Sequence, residues 1–295
     1  MKLWIGKQMA APALESLRVG KAREEAAATL TAVLLSAPAD TYFLKLSVAV
    51  GDVVHLTDDD GTERFSGSIH TISRTPRRVS ITAYDPGVYL TRNELYGVYT
   101  GTGRAIAAKI AGELGIPLGT VEDDGVGRTI VTGAGRSAFS VLRAAVGPRR
   151  EIGVRGGALT VRAAAGAPVL LRPERVLDVS CQASIRDMVN AAVVVGRNGR
   201  PLAQARHDGD IAAYGRFQTV LGKNGAAQEQ ASAALTSRSR TARLTVLGDA
   251  ALACGGRAEV HRPAWGLDGI YAITAHEHRW ERGTFTTSLR LEDET

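Results

Sequence analysis

The chain is short of the residues that staple small proteins or carry most enzyme chemistry. Only two of its 295 residues are cysteine, Cys181 and Cys254, far apart and without CxxC spacing. That excludes a disulfide scaffold and a zinc knuckle, and it fits a reducing compartment. Aromatic residues make up 5% and do not interleave with the basic side chains, as a stacking platform for single-stranded nucleic acid requires. No apolar run approaches the roughly 18 residues that span a bilayer, and no long apolar core follows Lys2. The expectation is a chain that starts at Met1 in the cytoplasm, with no membrane partner. No GxSxG elbow or HExxH helix occurs, and the Gly101 to Arg104 stretch lacks GxxxxGK[ST] spacing. Scattered Ser, His and Asp do not make a triad, so no catalytic residue and no cofactor is expected.

What is present is length for two or three domains and 44% apolar residues to fill their cores. The net charge of +6 is unevenly placed. Lys plus Arg against Asp plus Glu count 10 and 10 over residues 1–85, 12 and 7 over 86–175, and 14 and 13 over 176–295. The excess lies in a scattered series, Arg128, Arg136, Arg143, Arg149, Arg150, Arg155 and Arg162. It reads as a solvated face or a contact with an acidic protein, not as a sequence-specific nucleic-acid surface.

The beginning and end of the chain echo one another. Gly51 opens a strand pattern, Phe65 and Gly67 begin the next, and a period-two stretch over 78–84 closes at Tyr84 and Asp85. Late in the chain Gly256, Gly269 and the alternating residues 285–291 repeat that order. Each copy predicts half-buried antiparallel strands. With two such modules per chain, three copies present six, so a trimer could cap an object built with sixfold symmetry.

Between the copies the pattern changes. Residues 25–35 alternate and predict a strand, residues 58–61 a hairpin turn and Pro76 another turn. From Pro86 onward, Ile106, Ile110 and Leu114 predict a helix ended by Gly115, and residues 137–146 a second with Phe139, Leu142 and Val146 on one face. A hairpin follows over 151–162, turning at Gly156 and Gly157. After Val176 the expectation is a helical turn at 185–190, a buried strand at 191–196, a turn at Asn198 and Gly199, a helix at 228–235 and strands from Arg243. The fold class is therefore mainly β, with an α+β insert between two antiparallel β parts.

Two constellations imitate chemical sites. Gly133, Gly135 and Ala138 follow a strand-like stretch and open a helix, with Glu151 at the distance of a ribose ligand, as in a nucleotide-dependent oxidoreductase. That fingerprint needs a parallel sheet, and its surroundings look antiparallel. His276 and His278 share a strand face, with His261 the nearest third metal ligand, but nothing placed by motif completes a site. A tail-associated cell-wall hydrolase is the other rival.

Gly51, Phe65, Gly67, Tyr84 and Asp85, in this order and spacing, resemble the first barrel of the baseplate hub proteins of contractile tails, relatives of late-control protein D. The likeness is greatest to the short hub of PBSX-type defective phages. The stretches from Leu90 to Pro117 and from Ser137 to Val161 are similar to that family's middle domain. Asn190, Tyr214, Gly215, Gly248, Asp249, Gly269, His278, Trp280 and Gly283 look like its second barrel, while residues 1–45 match least. The resemblance implies tube-like barrels over 1–87 and 176–295 flanking a small α+β domain over 88–175. It implies a homotrimer joining a hexameric tail tube, or its initiator protein, to a trimeric central spike, assembled in the cytoplasm and then held among other baseplate proteins. No spike-like β-helix repeats occur before Thr295, so the spike is expected to be a separate protein. Under the resemblance, Gly67 and Gly269 would allow close strand approach or a bend at equivalent barrel positions, and Tyr84 and Trp280 would be large anchors at barrel edges or interfaces.

Overall fold

In the strand β4 (Thr29–Leu35), Leu30, Ala32 and Leu34 are buried while Thr29, Thr31 and Val33 are half-buried. That period-two division recurs through most of the fold. The computed structural model describes residues 1–37 and 39–293; Glu294 and Thr295, the end of the expected last segment, lie outside the described residues. In chain order the first part holds β1 (Lys2–Ile5), β2 (Gln8–Met9), β3 (Leu14–Ala22), β4, β5 (Val53–Thr57), β6 (Glu63–Arg74) and β7 (Arg78–Tyr84). The middle part holds α1 (Val88–Arg92), β8 (Glu94–Gly101), α2 (Gly103–Leu114), β9 (Leu118–Val121), β10 (Arg128–Ser137), α3 (Ala138–Val146), β11 (Glu151–Arg155) and β12 (Ala158–Arg162). The last part holds β13 (Val169–Leu170), β14 (Val176–Ser184), β15 (Ala191–Val195), β16 (Pro201–Arg206), α4 (Asp208–Tyr214), β17 (Gln218–Gly222), α5 (Ala227–Ala233), β18 (Ser239–Leu247), β19 (Arg257–Arg262), β20 (Leu267–Glu281) and β21 (Thr284–Asp293).

The fold is mainly β with an α+β insert, and both β parts belong to one 13-stranded sheet. Its main path runs β14-β18-β21-β20-β3-β4-β7-β6-β5-β1-β2, with β19 and β13 branching from β20. The two echoing segments are its two meanders, β5-β6-β7 and β19-β20-β21. They are joined where β3 lies antiparallel to β20, with Leu17 opposite Trp280 and Val19 opposite His278. Both middle strands change partner along their length. β6 pairs β5 through Glu63 to Ser68 and then β7 from Ser68 on, and β20 pairs β19 through Leu267 to Ala272 and then β3 from Ala275. Leu3, Leu17, Leu30, Val54, Phe65 and Ile81 are among the residues of one core under the first meander.

The insert has its own core. Thr102 caps α2 by accepting from the Ala105 N–H, and Gly115 ends it in the left-handed region at φ 66°. Ser137 caps α3 in the same way. Ala138, Val141, Leu142, Ala145 and Val146 are its buried residues, and Phe139 packs, partly buried, against the same core. The hairpin β11-β12 gains a third strand, β9, parallel to β12.

The chain divides into two compact units, Met1–Val179 with Arg243–Leu291, and Ser180–Ala242 with the described residues from Glu292 on. In that second unit β15 pairs antiparallel with β16 and parallel with β17, the crossover carrying α4, and α5 covers Ala192 and Val194. The helical turn expected at 185–190 is instead a β-turn, Met188 donating to the Ile185 carbonyl, followed by a bridge from Val189 to Thr236. With Met188 closing a four-residue turn on Ile185 and Val189 already bonded to Thr236, the chain leaves before a helical i→i+4 bond can form.

Candidate functional site

The structure gathers most of the singled-out residues into three places. In the first, Gly67 lies opposite Val54 on β6, where a Cβ would overlap the Tyr84 carbonyl oxygen and stand 2.8 Å from the tip of the Phe65 ring. Phe65 is buried, Tyr84 stands edge-on to His70 with centroids 5.2 Å apart, and Gly51 turns the chain at φ 92° while its N–H donates to Ile69. Asp85 follows at once; burial pushes its carboxyl up, opposed by hydrogen bonding from Ala28 and Gly87 and by the charge of Lys21.

In the second place Phe285 occupies the space a side chain at Gly248 would need, and its ring stacks on Trp280 at 4.3 Å and 9°. His278 adjoins both rings. The Asp249 N–H donates to the Thr287 hydroxyl, which lies 3.0 Å from His278 Nδ1, and Arg175 holds the Asp249 carboxylate at 3.0 Å. Gly283 shares the β20–β21 turn with Arg282, at φ 76° and 51°. At Gly269 it is the backbone conformation, not a close approach, that calls for glycine. No atom lies within 4 Å of where its Cβ would be, so its glycine serves a backbone at φ 135°, and the tight approach in this half falls to Gly248.

The third place is in the second unit. Asn190, 1% exposed, donates from Nδ2 to the Gly215 carbonyl at 2.7 Å and accepts from the Phe217 N–H at 2.7 Å. It therefore fixes the chain reversal after Tyr214 at the end of α4.

A fourth assembly was invisible to motif reading. Lys21 on β3 and Glu151 on β11, 8% and 5% exposed, are ion-paired at 3.0 Å, and Arg155 grips the other Glu151 oxygen at 2.6 Å. A Cβ at Gly153 would strike the Lys21 ammonium, and one at Gly255 the Glu151 carboxylate, so two glycines make room for the pair. Arg143 on α3 donates to the carbonyls of Gly147, Pro148 and Arg150 and reaches the carbonyl of Arg23 just beyond β3. Arg143, expected on a solvated face, instead fastens the insert to the sheet, whereas Arg155 is half-exposed and pairs with Glu151 within its own strand. The same junction borders a cavity of about 520 Å³ lined by Lys21, Asp85, Glu151, Cys254, His276 and His278 among others.

Its electrostatics suit holding rather than reacting. Burial pushes the Glu151 carboxyl up, but Lys21 and Arg155 outweigh it and keep the carboxyl below its ordinary value. Burial drives the Cys254 thiol up to about 12 and His276 down to about 3, so a thiolate attack is disfavoured. The Cys254 N–H donates to His276 Nδ1 at 2.9 Å, which occupies the lone pair a general base would use. His261 lies elsewhere, 2.9 Å from both Glu259 and Asp268, and among the described residues no His, Cys, Asp or Glu group is arranged to hold a metal. Gly133 and Gly135 lie on β10, antiparallel to β8, and Glu151 is spent on Lys21, so the dinucleotide arrangement is not formed.

These histidines set a pH dependence. His276 and His278, held at about 3 and about 4 by burial, stay neutral in the fold but take up protons near 6.5 once unfolded. Their contribution is complete above pH 6.5 and is lost as pH falls toward the folded values, at about 1.4 kcal/mol per pH unit per site. The depressed Glu151 carboxyl adds to the loss at lower pH. Asp85, raised, and His261, raised by Asp268 and Glu259, work in the opposite direction. The urea midpoint is expected to fall between pH 6.5 and 4.5 and to fall less in His278→Gln; a flat midpoint in the native chain would refute the assignment.

The profile of the family described as YQBQ-like matches residues 17–292, nearly the whole chain. The chain belongs to the YQBQ-like family. None of the curated proteins matches its sequence. Among solved structures, this YQBQ-like chain is similar to a tail protein from Neisseria meningitidis MC58, with TM-score 0.72, 13% identity and 99% and 96% of the two chains covered. It is similar also to the 43 kDa tail protein of prophage MuSo2 from Shewanella oneidensis, with TM-score 0.69, 14% identity and coverage of 98% and 96%. A third likeness is to an E. coli component of the type VI secretion system, itself described as similar in structure to the bacteriophage T4 tail proteins gp27 and gp5. There the TM-score is 0.59 at 11% identity, with 99% of this chain and 76% of that one covered. The fold of the YQBQ-like chain is thus that of tail proteins. No helix among its described residues is long and apolar enough to cross a membrane.

Proposed function

We propose that the chain is a structural baseplate hub of a contractile tail or injection particle, a homotrimer adapting a hexameric tail tube to a trimeric central spike. The observation that carries this reading is the pair of meanders, β5-β6-β7 and β19-β20-β21, held in one sheet. Three copies of a twofold-repeated chain display six similar edges on one face and three unlike inserts, which is what a sixfold-to-threefold adaptor needs. The tail-protein fold and the likeness to a type VI component described as similar to gp27 and gp5 support it. In this reading residues 1–87 and 176–295 supply the two tube-like barrels, and 88–175 the domain between them, turned toward other baseplate proteins. The partners are the tube or tube-initiator protein and the spike. The work is mechanical, with no cofactor and no bond made or broken, first in the cytoplasm and then in the baseplate.

Native mass measurement of the purified chain, alone and with the tube protein, tests the reading. The expected species has three times the 31.1 kDa of one chain and binds tube subunits. A strict monomer that ignores the tube protein would overturn it.

A further inference from the structure

The cavity at the junction of sheet and insert presents two hydrogen-bond donors without an acceptor among the described residues. It is walled by the first meander at Arg64 and Phe65, by the insert at Glu151 and Arg155, and by the second meander at His276 and His278. Nδ1 of His276 accepts the Cys254 N–H at 2.9 Å. Nδ1 of His278 lies 3.0 Å from the hydroxyl of Thr287, which is 0% exposed and already accepts the Asp249 N–H. Among the described residues that nitrogen is the one acceptor for the hydroxyl's own proton. Burial keeps both rings neutral, so each carries its single hydrogen on Nε2. The carboxylates around the cavity cannot serve them: Glu151 is held by Lys21 and Arg155, and Asp85 by the Gly87 N–H. A buried donor left this way carries the full penalty of its desolvation, and His278 is 5% exposed.

The cavity is also short of one negative charge. Lys21 and Arg155 share the single carboxylate of Glu151, Arg64 is matched by Asp58, and Glu63, 58% exposed, stays solvated at the rim. After burial and the neighbouring His278, Lys21 and Arg155 are what hold His276 down, so their positive field reaches its ring. We propose that this cavity binds a small organic carboxylate, one oxygen on each Nε2–H of His276 and His278, with the surplus charge of Lys21 and Arg155 balancing it. The two ring centroids are 4.8 Å apart, so two oxygens on one carbon can reach both donors. One surplus charge fits a carboxylate better than a phosphate dianion. The volume of about 520 Å³ leaves room for the rest of the acid, since small-molecule pockets run from about 300 to about 1,000 Å³. The bound acid ties β20 to the insert and does not react, because the Cys254 thiol is spent on the Thr274 carbonyl. The site stands independently of the trimeric reading above.

Saturation-transfer NMR on the full chain, with acetate as the probe, tests the site. The native chain is expected to give a saturable acetate methyl signal that acetamide, the same shape without the charge, neither reproduces nor displaces. His276→Asn with His278→Asn keeps an acceptor where each Nδ1 stands and removes both Nε2–H groups. Acetate binding is then expected to weaken at least about 10-fold. His276→Gln with His278→Gln, whose amide N–H reaches the ε position, should recover most of it, which separates lost donors from a damaged fold. No acetate signal from the native chain, equal binding of acetamide, or a Gln pair no better than the Asn pair would overturn the site. So would a signal unchanged in the Asn pair, which marks adventitious anion binding at surface arginines only.

Discussion

Gly67→Val is expected to yield no soluble trimer and almost no soluble protein. The substituted Cβ would overlap the carbonyl oxygen of Tyr84, stand 2.7 Å from its carbonyl carbon and meet Phe65 at 2.8 Å. Two of these obstacles are backbone of the neighbouring strand β7, and the third is a ring only 4% exposed in the core. No rotamer relieves a collision at Cβ, so the β6–β7 ladder must part just where β6 changes partner. Overpacking of this kind costs about 4 kcal/mol or more, against a total stability of roughly 5–15 kcal/mol. Gly269→Ala is the matched control: its Cβ meets nothing, and only the left-handed backbone is strained, at about 1–3 kcal/mol. Soluble yield and urea midpoint of the two variants decide the matter. If Gly67→Val is as soluble and as stable as Gly269→Ala, the close approach does not hold the ladder.

That contrast also marks how far the sequence could be read. The glycine-punctuated echo, the turns at Gly61 and Gly199 and the capped helix of Ile106 and Ile110 are local signals, and local geometry realises them. Whether a strand glycine makes room or merely turns depends on what lies where its Cβ would be, the Tyr84 carbonyl at Gly67 and no atom at Gly269. The β3–β20 junction unites residues such as Leu17 and Trp280, and no local pattern encodes a pairing at that separation. The parallel β15–β17 pair escaped because α4 buries none of its residues and so shows no apolar stripe. Lys21 did leave a trace. It continues the inward phase of Leu17 and Val19, and a lysine in phase with core residues needs a buried partner. The partner, Glu151, opens a hairpin strand whose next three residues are Ile152, Gly153 and Val154, and charge counting alone could not separate Arg143 from solvated arginines.

Glu151→Ala is accordingly expected to be the most damaging change in the insert, at about 3–5 kcal/mol, because it strands the Lys21 ammonium in a site 8% exposed. Most of that cost lies in the abandoned charge rather than in the lost bond. Lys21→Met combined with Glu151→Leu removes both charges and should return to within about 1 kcal/mol of the native chain. Arg155, half-exposed, can turn to water when its partner goes, so its loss adds little. A double-mutant cycle on the urea midpoint measures the coupling between positions 21 and 151. A coupling of several kcal/mol identifies the pair as the fastening between β3 and the β11–β12 hairpin. A Glu151→Ala chain within 1 kcal/mol of native would show that Arg143, reaching the Arg23 carbonyl from α3, holds the insert by itself.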